Sequence, residues 1–393
     1  MKKTQHTQNL PKSSSGDGQS DWYFTTDNGK IFNGDSYHLL SNLKDNSVDL
    51  IMTSPPFGLI KEKDYGNVHA DDYISWFKPF ARQFHRILKK TGSLVIDIGG
   101  TWNNGVPTRH LYQFKLLIML CDEYKFHLAQ DFYWWNPAKL PTPAEWVTIR
   151  RIRVKDAINK VWWLSKTEWP KASNRRVLQP YTDSMKNLLN NGYTPGVRPS
   201  GHDISNRFQT DNGGAIPPNL LALANTESQS SYLRYCKSNN INPHPARFPA
   251  ELPEFFVRML TDKGDLVVDP FAGSCVTGEV CERLGREWIC SELREDYLKG
   301  AKGRFIAPEP AAKDEAPPTS NGRRATRTTP DAADTSSYYK LPRPGLLWDE
   351  TTTGRLDPSG GKKPPATQKM SRNSTKPVRK RGRPRASRDE DRA

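Results

Sequence analysis

The 393-residue sequence contains only five cysteines, and none of them stands in a CxxC or another metal-ligand spacing. Neither a metal site nor a disulfide framework is therefore predicted. No apolar run is long enough to span a bilayer, and no apolar stretch follows the Met-Lys-Lys start, so we expect a soluble intracellular protein without a membrane partner. The chain also lacks a GxGxxG sequence, which disfavours a dinucleotide site.

Acidic residues are in deficit. The chain has 43 Asp and Glu against 58 Lys and Arg, which gives a formal net charge of +15 and a pI near 9.5. A surplus of this size predicts a polyanionic partner, with nucleic acid first among the candidates. A solvated basic surface without a partner is the alternative that charge alone leaves open.

A strand followed by two prolines is the first candidate site. Residues 48–52 form a short apolar run that predicts a buried strand, and Thr53 and Ser54 follow it. Pro55 and Pro56 end the strand because each lacks a backbone N–H. The chain then presents a hydroxyl, several carbonyls and the Phe57 ring at the carboxyl edge of a sheet, where open α/β sheets bind ligands. Such a loop could hold the exocyclic amino group of a base, although an ordinary strand-ending turn is the simpler interpretation.

A second strand and turn lie far down the chain. Residues 266–269 are apolar and end in a carboxylate, and a turn of small residues follows them. A helix is predicted from Thr277 to Leu284, with Gly285 at its end, and a further strand ends in Glu292. A βαβ unit places there the acid that binds a ribose hydroxyl pair. We therefore predict an adenosine ligand without a pyrophosphate, with a plain βαβ unit as the alternative.

Together, Thr53-Ser54-Pro55-Pro56-Phe57 and Asp269-Pro270-Phe271-Ala272-Gly273-Ser274 resemble the two signature motifs of the amino-directed DNA methyltransferases. Their order resembles the beta group of that family, which is circularly permuted, and the resemblance covers roughly residues 30 to 300. It implies an α/β, Rossmann-like fold with a mostly parallel seven-stranded sheet, and S-adenosyl-L-methionine as the cofactor. The cofactor-binding residues that it implies are Asp35, Asp269, Pro270, Phe271, Ala272, Gly273, Ser274 and Glu292.

Two positions qualify that assignment. In the family a Gly-Asp upstream of the amino-binding motif contacts the cofactor's adenine, which assigns Asp35; a helix N-cap is the alternative, and both roles are compatible. After Gly273-Ser274 the family usually has Gly-Thr-Thr, whereas this chain has Cys275-Val276-Thr277. His244-Pro245-Ala246-Arg247-Phe248-Pro249 resembles the family segment that packs over the cofactor.

The residue at position 54 bears on the choice of base. Family members that methylate cytosine N4 mostly carry Ser there, and adenine-N6 members mostly carry Asp, so the resemblance implies a cytosine-N4 enzyme with adenine-N6 as the alternative. The implied catalytic residues are Ser54, Pro55, Pro56 and Phe57. Asp97, at the end of the predicted strand 93–100, is added as a hydrogen-bonding group or proton acceptor for the target amine. Carbon-5 methylation is excluded because its cysteine nucleophile follows a proline, and the chain has no Pro-Cys dipeptide.

Two further classes stay open. One is an inactive DNA-binding protein of the same fold. The other is a methyltransferase for RNA or protein amides, although those enzymes usually carry Asn at the position of Ser54.

Between the motifs, helices are predicted at residues 73–88, closed by Thr91-Gly92, and at 110–124. The aromatic run 132–135 resembles a family motif that holds the displaced base, and residues 157–166 predict a closing strand. The basic, alternating segment 150–155 is interpreted as a hairpin that contacts DNA phosphates through Arg150, Arg151 and Arg153, or else as a solvated strand face.

The predicted organisation has five parts: a disordered N-terminus (1–20), a catalytic half (21–166), an irregular target recognition region (167–240), a cofactor-binding half (241–305) and a disordered basic tail (306–393). Residues 380–385 in the tail resemble an AT-hook, which would place Arg381, Arg383 and Arg385 in an A·T-rich minor groove; a generic basic tail is the alternative. The resemblance implies duplex DNA as the partner, in a prokaryotic cytoplasm and nucleoid. A paired restriction endonuclease and a solitary regulatory role both stay open.

Overall fold

The computed structural model describes residues 22–59, 63, 66–192, 196–201, 203–204, 209–226 and 230–306. The predicted disordered N-terminus (1–20) lies outside the described residues. So do Arg381, Arg383 and Arg385, with the rest of the tail beyond residue 306. Among the described residues, no helix is long and apolar enough to cross a membrane.

The strands are β1 (Trp22–Thr25), β2 (Gly29–Asn33), β3 (Val48–Thr53), β4 (Leu88–Ile98), β5 (His127–Trp135), β6 (Ile158–Ser165), β7 (Gly196–Val197), β8 (Asp203–Ile204), β9 (Leu220–Ala222), β10 (Leu266–Asp269) and β11 (Glu287–Glu292). The α-helices are α1 (Ser36–Asn42), α2 (Tyr73–Ile87), α3 (Tyr112–Asp122), α4 (Asp183–Asn191), α5 (Ser231–Ser238), α6 (Glu251–Leu260), α7 (Val276–Leu284) and α8 (Glu295–Ala301). Short 3-10 turns cover Asn174–Val177 and Lys302–Arg304, and a π-helical turn covers Glu145–Ile149.

The main sheet has nine strands in the order β1-β2-β11-β10-β3-β4-β6-β5-β9. The five neighbouring strands β2, β11, β10, β3 and β4 all pair in parallel. β6 is antiparallel to both of its neighbours, β4 and β5, and β9 is parallel to β5. The prediction of seven strands was therefore wrong, and the sheet is mixed, with five parallel and three antiparallel pairings. β1 adds an antiparallel edge, and β9 adds a strand from a region predicted to be irregular.

Burial on both faces explains why the central strands could be read from the sequence. All six residues of β3 are buried, so the strand appears as a continuous apolar run and not as an alternation. One core packs α6, α7 and α8 against one face of the sheet through residues such as Phe256, Val280 and Leu298. A second core packs α1, α2 and α3 against the other face. The result is a three-layer α/β arrangement.

Two local predictions need correction. Thr91-Gly92 do not close α2, because the helix ends at Ile87 and both residues lie inside β4. Residues 150–155 do not form a hairpin. The backbone N–H groups of Ile152 and Arg153 both donate to the Trp146 carbonyl, at 3.0 and 3.1 Å, so the segment folds back on the π-helical turn and is not available for strand pairing.

Candidate active site

The loop Ser54–Phe57 after β3 and the turn Pro270–Ser274 after β10, which we call the glycine turn, line one cleft at the carboxyl edge of the sheet, as the sequence predicted. β3 and β10 are adjacent and parallel, so the loops that follow them leave the sheet side by side. The cleft has a volume of about 250 Å³. It is lined by Asp35, Ser36, Ser54, Pro55, Pro56, Phe57, Gly66, Trp76, Phe80, His244, Ala246, Arg247, Phe248, Pro270, Phe271, Ala272, Gly273, Ser274, Val276, Glu292 and Leu293.

Ser54 is hydrogen-bonded to a buried carboxyl group. Its hydroxyl donates to Asp97 Oδ2 at 3.1 Å, and the Asn159 amide donates to the same oxygen at 3.4 Å. Asp97 is 1% exposed, and its other oxygen, Oδ1, has no hydrogen-bond partner in the described part of the chain. Burial raises the pKa of Asp97 to about 7, against the lowering effect of these two hydrogen bonds and of the Lys139 charge. The carboxyl can therefore gain or lose a proton near neutral pH beside Ser54.

Phe57 is held by the backbone after β4. A Cβ at Gly99 would lie 2.5 Å from the Phe57 ring, so the ring can approach the backbone this closely only because residue 99 has no side chain. The Tyr112 hydroxyl donates to the Gly99 carbonyl and fixes that segment. Phe57 is half-buried and lines the cleft, which suits a ring that stacks on a planar ligand.

Asp269 lies behind the cleft and does not line it. Its Oδ1 accepts hydrogen bonds from the Thr53 hydroxyl at 2.8 Å and the Phe271 N–H at 3.1 Å, and its Oδ2 accepts one from the Thr277 hydroxyl at 2.7 Å. It is 1% exposed, and burial raises its pKa to about 6. Asp269 therefore joins the end of β3 to the glycine turn and to α7, which makes it a positioning residue.

The glycine turn is shaped by backbone conformation and by Glu292. Gly273 has a φ of +53°, and its N–H donates to Glu292 Oε2 at 3.0 Å. The Arg294 N–H donates to the other oxygen, Oε1, at 2.9 Å, and burial raises the pKa of Glu292. Cys275 has a φ of +59°, a left-handed conformation that glycine adopts with less strain. The position where the resemblance expects glycine is thus one where glycine would be favoured.

The remaining predicted cofactor residues line the cleft, but two of them also form hydrogen bonds within the chain. Asp35 lines the cleft, and its side chain accepts from the Tyr37 N–H at 2.7 Å as the N-cap of α1, so both of its predicted roles are compatible with the structure. Pro270 and Ala272 line the cleft as well. Ser274 lines it while Arg304 donates to its carbonyl at 2.7 Å and to its hydroxyl at 3.1 Å.

Two cleft residues, Trp76 and Phe80, were missed from the sequence, whereas the segment that contains His244 was recognised. Trp76 and Phe80 of α2 lie against Phe271, with ring centroids 5.9 and 5.2 Å apart, but their helical spacing made them indistinguishable from core residues. His244 packs against Gly273, and a Cβ on that glycine would lie 3.1 Å from its ring. The resemblance of the segment 244–249 was the signal for this contact. Asn159, the second donor to Asp97, was also missed, because no sequence pattern pointed to it.

The predicted base-holding aromatics do not line this cleft. Phe132 and Trp134 are buried in the core, and the Trp134 indole N–H donates to the Leu223 carbonyl at 2.9 Å. Tyr133 and Trp135, the other two residues of the run, are only half-buried.

The three described arginines of the predicted phosphate-binding segment differ. Arg150 pairs with Glu145 at 2.6 Å and lies over the Trp146 ring. Arg153 stacks on Trp102, 4.1 Å from the ring centroid, so it supports the fold. Arg151 is exposed and forms no ion pair with another described residue.

The sequence profile of the DNA methylase family, which comprises N6 and N4 methyltransferases, matches residues 48–303, and this span includes both loops of the cleft. The chain belongs to the N6/N4 DNA methylase family. This DNA methylase is 54% identical over 286 residues to the type II methyltransferase M.PvuII of Proteus hauseri, a match that covers 72% of the chain and 85% of M.PvuII.

A solved structure and a second curated protein are also similar to this chain. A solved structure described as PvuII DNA methyltransferase (cytosine-N4-specific) is similar to this DNA methylase with a TM-score of 0.61 and 46% identity, over 73% of this chain and 90% of that one. The DNA adenine methyltransferase YhdJ of Escherichia coli (strain K12) is 26% identical over 275 residues, which are 68% of this chain and 80% of YhdJ.

Proposed function

We propose that this DNA methylase transfers a methyl group from S-adenosyl-L-methionine to the exocyclic N4 of a cytosine in duplex DNA, as the modifying enzyme of a restriction–modification system. The observation that carries the proposal is the hydrogen bond to Asp97 from Ser54, which lines the same cleft as the glycine turn. The 54% identity to M.PvuII, together with a solved PvuII methyltransferase described as cytosine-N4-specific, supports cytosine N4 as the target.

The residues of the cleft fit an S-adenosyl group. The rings of Trp76, Phe80 and Phe271 form an apolar wall for a flat base. Glu292 accepts one backbone N–H on each oxygen and keeps lone pairs that suit a ribose hydroxyl pair. The cofactor supplies an electrophilic methyl group on sulfur, and this chain's own residues bind and orient it.

The target amine needs help from the protein, because its lone pair is delocalised into the ring. Hydrogen bonds from its N–H groups to Ser54 Oγ, and to carbonyls of the Ser54–Phe57 loop, would return electron density to nitrogen. When the amine takes the methyl group that the bound cofactor would supply, sulfur would keep the electron pair of the broken C–S bond and nitrogen would have to lose one proton. Asp97 receives that proton through the Ser54 hydroxyl, from which it already accepts a hydrogen bond at 3.1 Å.

The base must leave the duplex to reach this loop, at a cost of a few kcal/mol of stacking and pairing. Stacking on Phe57 and phosphate contacts from the basic surface would offset that cost. The order of the two motifs supports membership of the circularly permuted beta group. The tail with Arg381, Arg383 and Arg385 is proposed as an additional minor-groove contact.

The direct test is methyl transfer from tritium-labelled cofactor to duplex DNA, followed by mass spectrometry of the nucleosides and sequencing of the modified sites. N4-methylcytosine is the expected product. N6-methyladenine would replace this proposal with the adenine alternative, and DNA binding without transfer would favour an inactive protein. RNA and protein acceptors in parallel reactions complete the comparison.

A further inference from the structure

The 22-residue segment between β5 and β6, residues 136–157, exposes apolar side chains to an unusual degree. We call it the β5–β6 loop. Leu140 is 74% exposed, Ile149 69%, Ile152 57% and Val154 85%. Single exposed apolar residues are normal on a protein surface, but four on one loop indicate a surface that a binding partner buries.

The β5–β6 loop is held in shape by its own contacts and by those of a neighbouring segment. The Lys155 ammonium donates to the Pro137 and Lys139 carbonyls at 3.2 and 3.1 Å, which ties the two ends of the loop together. Arg153 lies over Trp102 of the segment that follows β4. Apolar side chains on such a scaffold lose little conformational freedom when they enter a partner.

The loop lies beside the proposed catalytic carboxyl. Its ends are paired, since Trp135 at the end of β5 faces Ile158 at the start of β6. The next residue, Asn159, donates to Asp97 Oδ2 at 3.4 Å. The β5–β6 loop therefore leaves the sheet at the edge at which Ser54 and Asp97 meet.

The charge of the loop indicates the chemistry of its partner. The loop has five basic residues and two acidic ones. Both acidic side chains are already paired, Glu145 with Arg150 and Asp156 with Arg109. Arg151 is exposed among the apolar side chains. A basic loop with an apolar tip matches the proteins that place apolar wedges between bases while basic groups contact the backbone.

We propose that the β5–β6 loop is a wedge that enters duplex DNA at the target cytosine, and that Ile152 and Val154 occupy the space that the everted base leaves. This inference rests on the proposed function, because it assumes that a base leaves the duplex. The apolar side chains stack against the exposed faces of the neighbouring bases and so stabilise the open duplex. Arg150 and Arg151 contact the adjoining phosphates.

The test compares a wedge variant on two substrates. Ile152→Ala/Val154→Ala is assayed on a fully paired duplex and on the same duplex with an abasic site opposite the target cytosine, where pairing has already been lost. Both residues are exposed, so the fold should tolerate the changes. The control is Ile118→Ala on α3, because Ile118 is 56% exposed against 57% for Ile152 and does not line the cleft.

On the paired duplex we expect kcat/KM of the wedge variant to fall by roughly tenfold or more, since opening one base pair costs a few kcal/mol. On the abasic duplex we expect less than about a threefold change, and Ile118→Ala should match wild type on both. Fluorescence of 2-aminopurine at the target position should rise with wild-type protein and much less with the wedge variant.

An equal loss of kcat/KM on both substrates, or no loss on either, would overturn the proposal that the β5–β6 loop is a wedge. So would a changed sedimentation coefficient of the variant without DNA, which would assign the apolar tip to contact between copies of the chain. If wild-type protein transfers no methyl group to the paired duplex, the proposed function fails instead, whatever the variants do.

Discussion

Replacement of Asp97 by asparagine should inactivate the protein and, at alkaline pH, make it more stable. The carboxyl is 1% exposed, and burial raises its pKa from 3.8 to about 7. Because the folded-state pKa is the higher one, the stability that the protonated group contributes is fully present below pH 3.8. It is lost as the pH rises to about 7 and stays lost above that. An asparagine side chain never ionises and avoids this loss.

The magnitude follows from the two pKa values. A rise from 3.8 to about 7 corresponds to about 4 kcal/mol of unfolding free energy. In the Asp97→Asn variant the amide oxygen can still accept from Ser54 and Asn159, but the amide nitrogen then faces the place of Oδ1, which has no partner among the described residues. An unpaired buried donor costs about 1–3 kcal/mol. The net gain at pH 8 is therefore about 1–3 kcal/mol, or about 2–4 °C of melting temperature per kcal/mol.

Two measurements check this prediction. Thermal melts of wild type and Asp97→Asn should show the variant's advantage at pH 8. At pH 5 the ionisation costs the wild type only about 2 kcal/mol, so the unpaired amide should cancel or reverse that advantage. The wild-type kcat should rise through about pH 7, and at pH 6 it should be about a tenth of its plateau if only the ionised carboxyl accepts the proton. A variant that melts below wild type at pH 8, or a wild-type rate that is flat from pH 6 to 8, would refute the assigned pKa and role.

Three other changes test the site and the tail. Ser54→Ala should lower kcat by about a hundredfold or more while cofactor binding persists. The matched control is Ser47→Ala, because the Ser47 hydroxyl is exposed and bonds only to the Lys44 carbonyl among the described residues. Equal rates in the two variants would exclude the role of Ser54. Asp269→Ala leaves the buried Thr53 and Thr277 hydroxyls without their acceptor. Calorimetry should therefore show a loss of roughly 3 kcal/mol or more in unfolding free energy, and cofactor binding should weaken. An unchanged melting temperature would contradict the role of Asp269 in joining β3 to the glycine turn. Deletion of residues 372–393 should weaken DNA binding and flatten its salt dependence without changing kcat, and an equal salt slope would show that the tail makes no contact.

The parts of the fold that the sequence predicted are those encoded in contiguous residues. β3 is buried on both faces and ends at a Pro-Pro pair, so its position and its boundary are both visible in a single short run of residues. The end of α7 was visible for the same reason, because Gly285 takes a φ of +68° after the last helical residue.

What could not be predicted depends on partners that the local sequence pattern does not reveal. The alternating pattern of residues 150–155 is typical of a strand, yet the segment bonds to the Trp146 carbonyl and exposes its apolar side chains. β9 has only three residues and becomes a strand by pairing with β5, a strand far earlier in the chain. Trp76 has the spacing of a core residue, and only the position of Phe271 reveals that it lines the cleft.

The two buried aspartates of the site show why burial and a raised pKa do not by themselves identify the reactive carboxyl group. Asp269 on β10 and Asp97 on β4 flank β3 on either side, and both are 1% exposed. The oxygens of Asp269 receive three donors from the chain, so a substrate proton would have to displace a bond that joins two loops. Asp97 receives two donors on Oδ2 and none from the described residues on Oδ1. The Ser54 hydroxyl that bonds to Asp97 lines the cleft, whereas the Thr53 and Thr277 hydroxyls that bond to Asp269 do not. The proposed proton transfer is therefore assigned to Asp97, and the positioning of the glycine turn to Asp269.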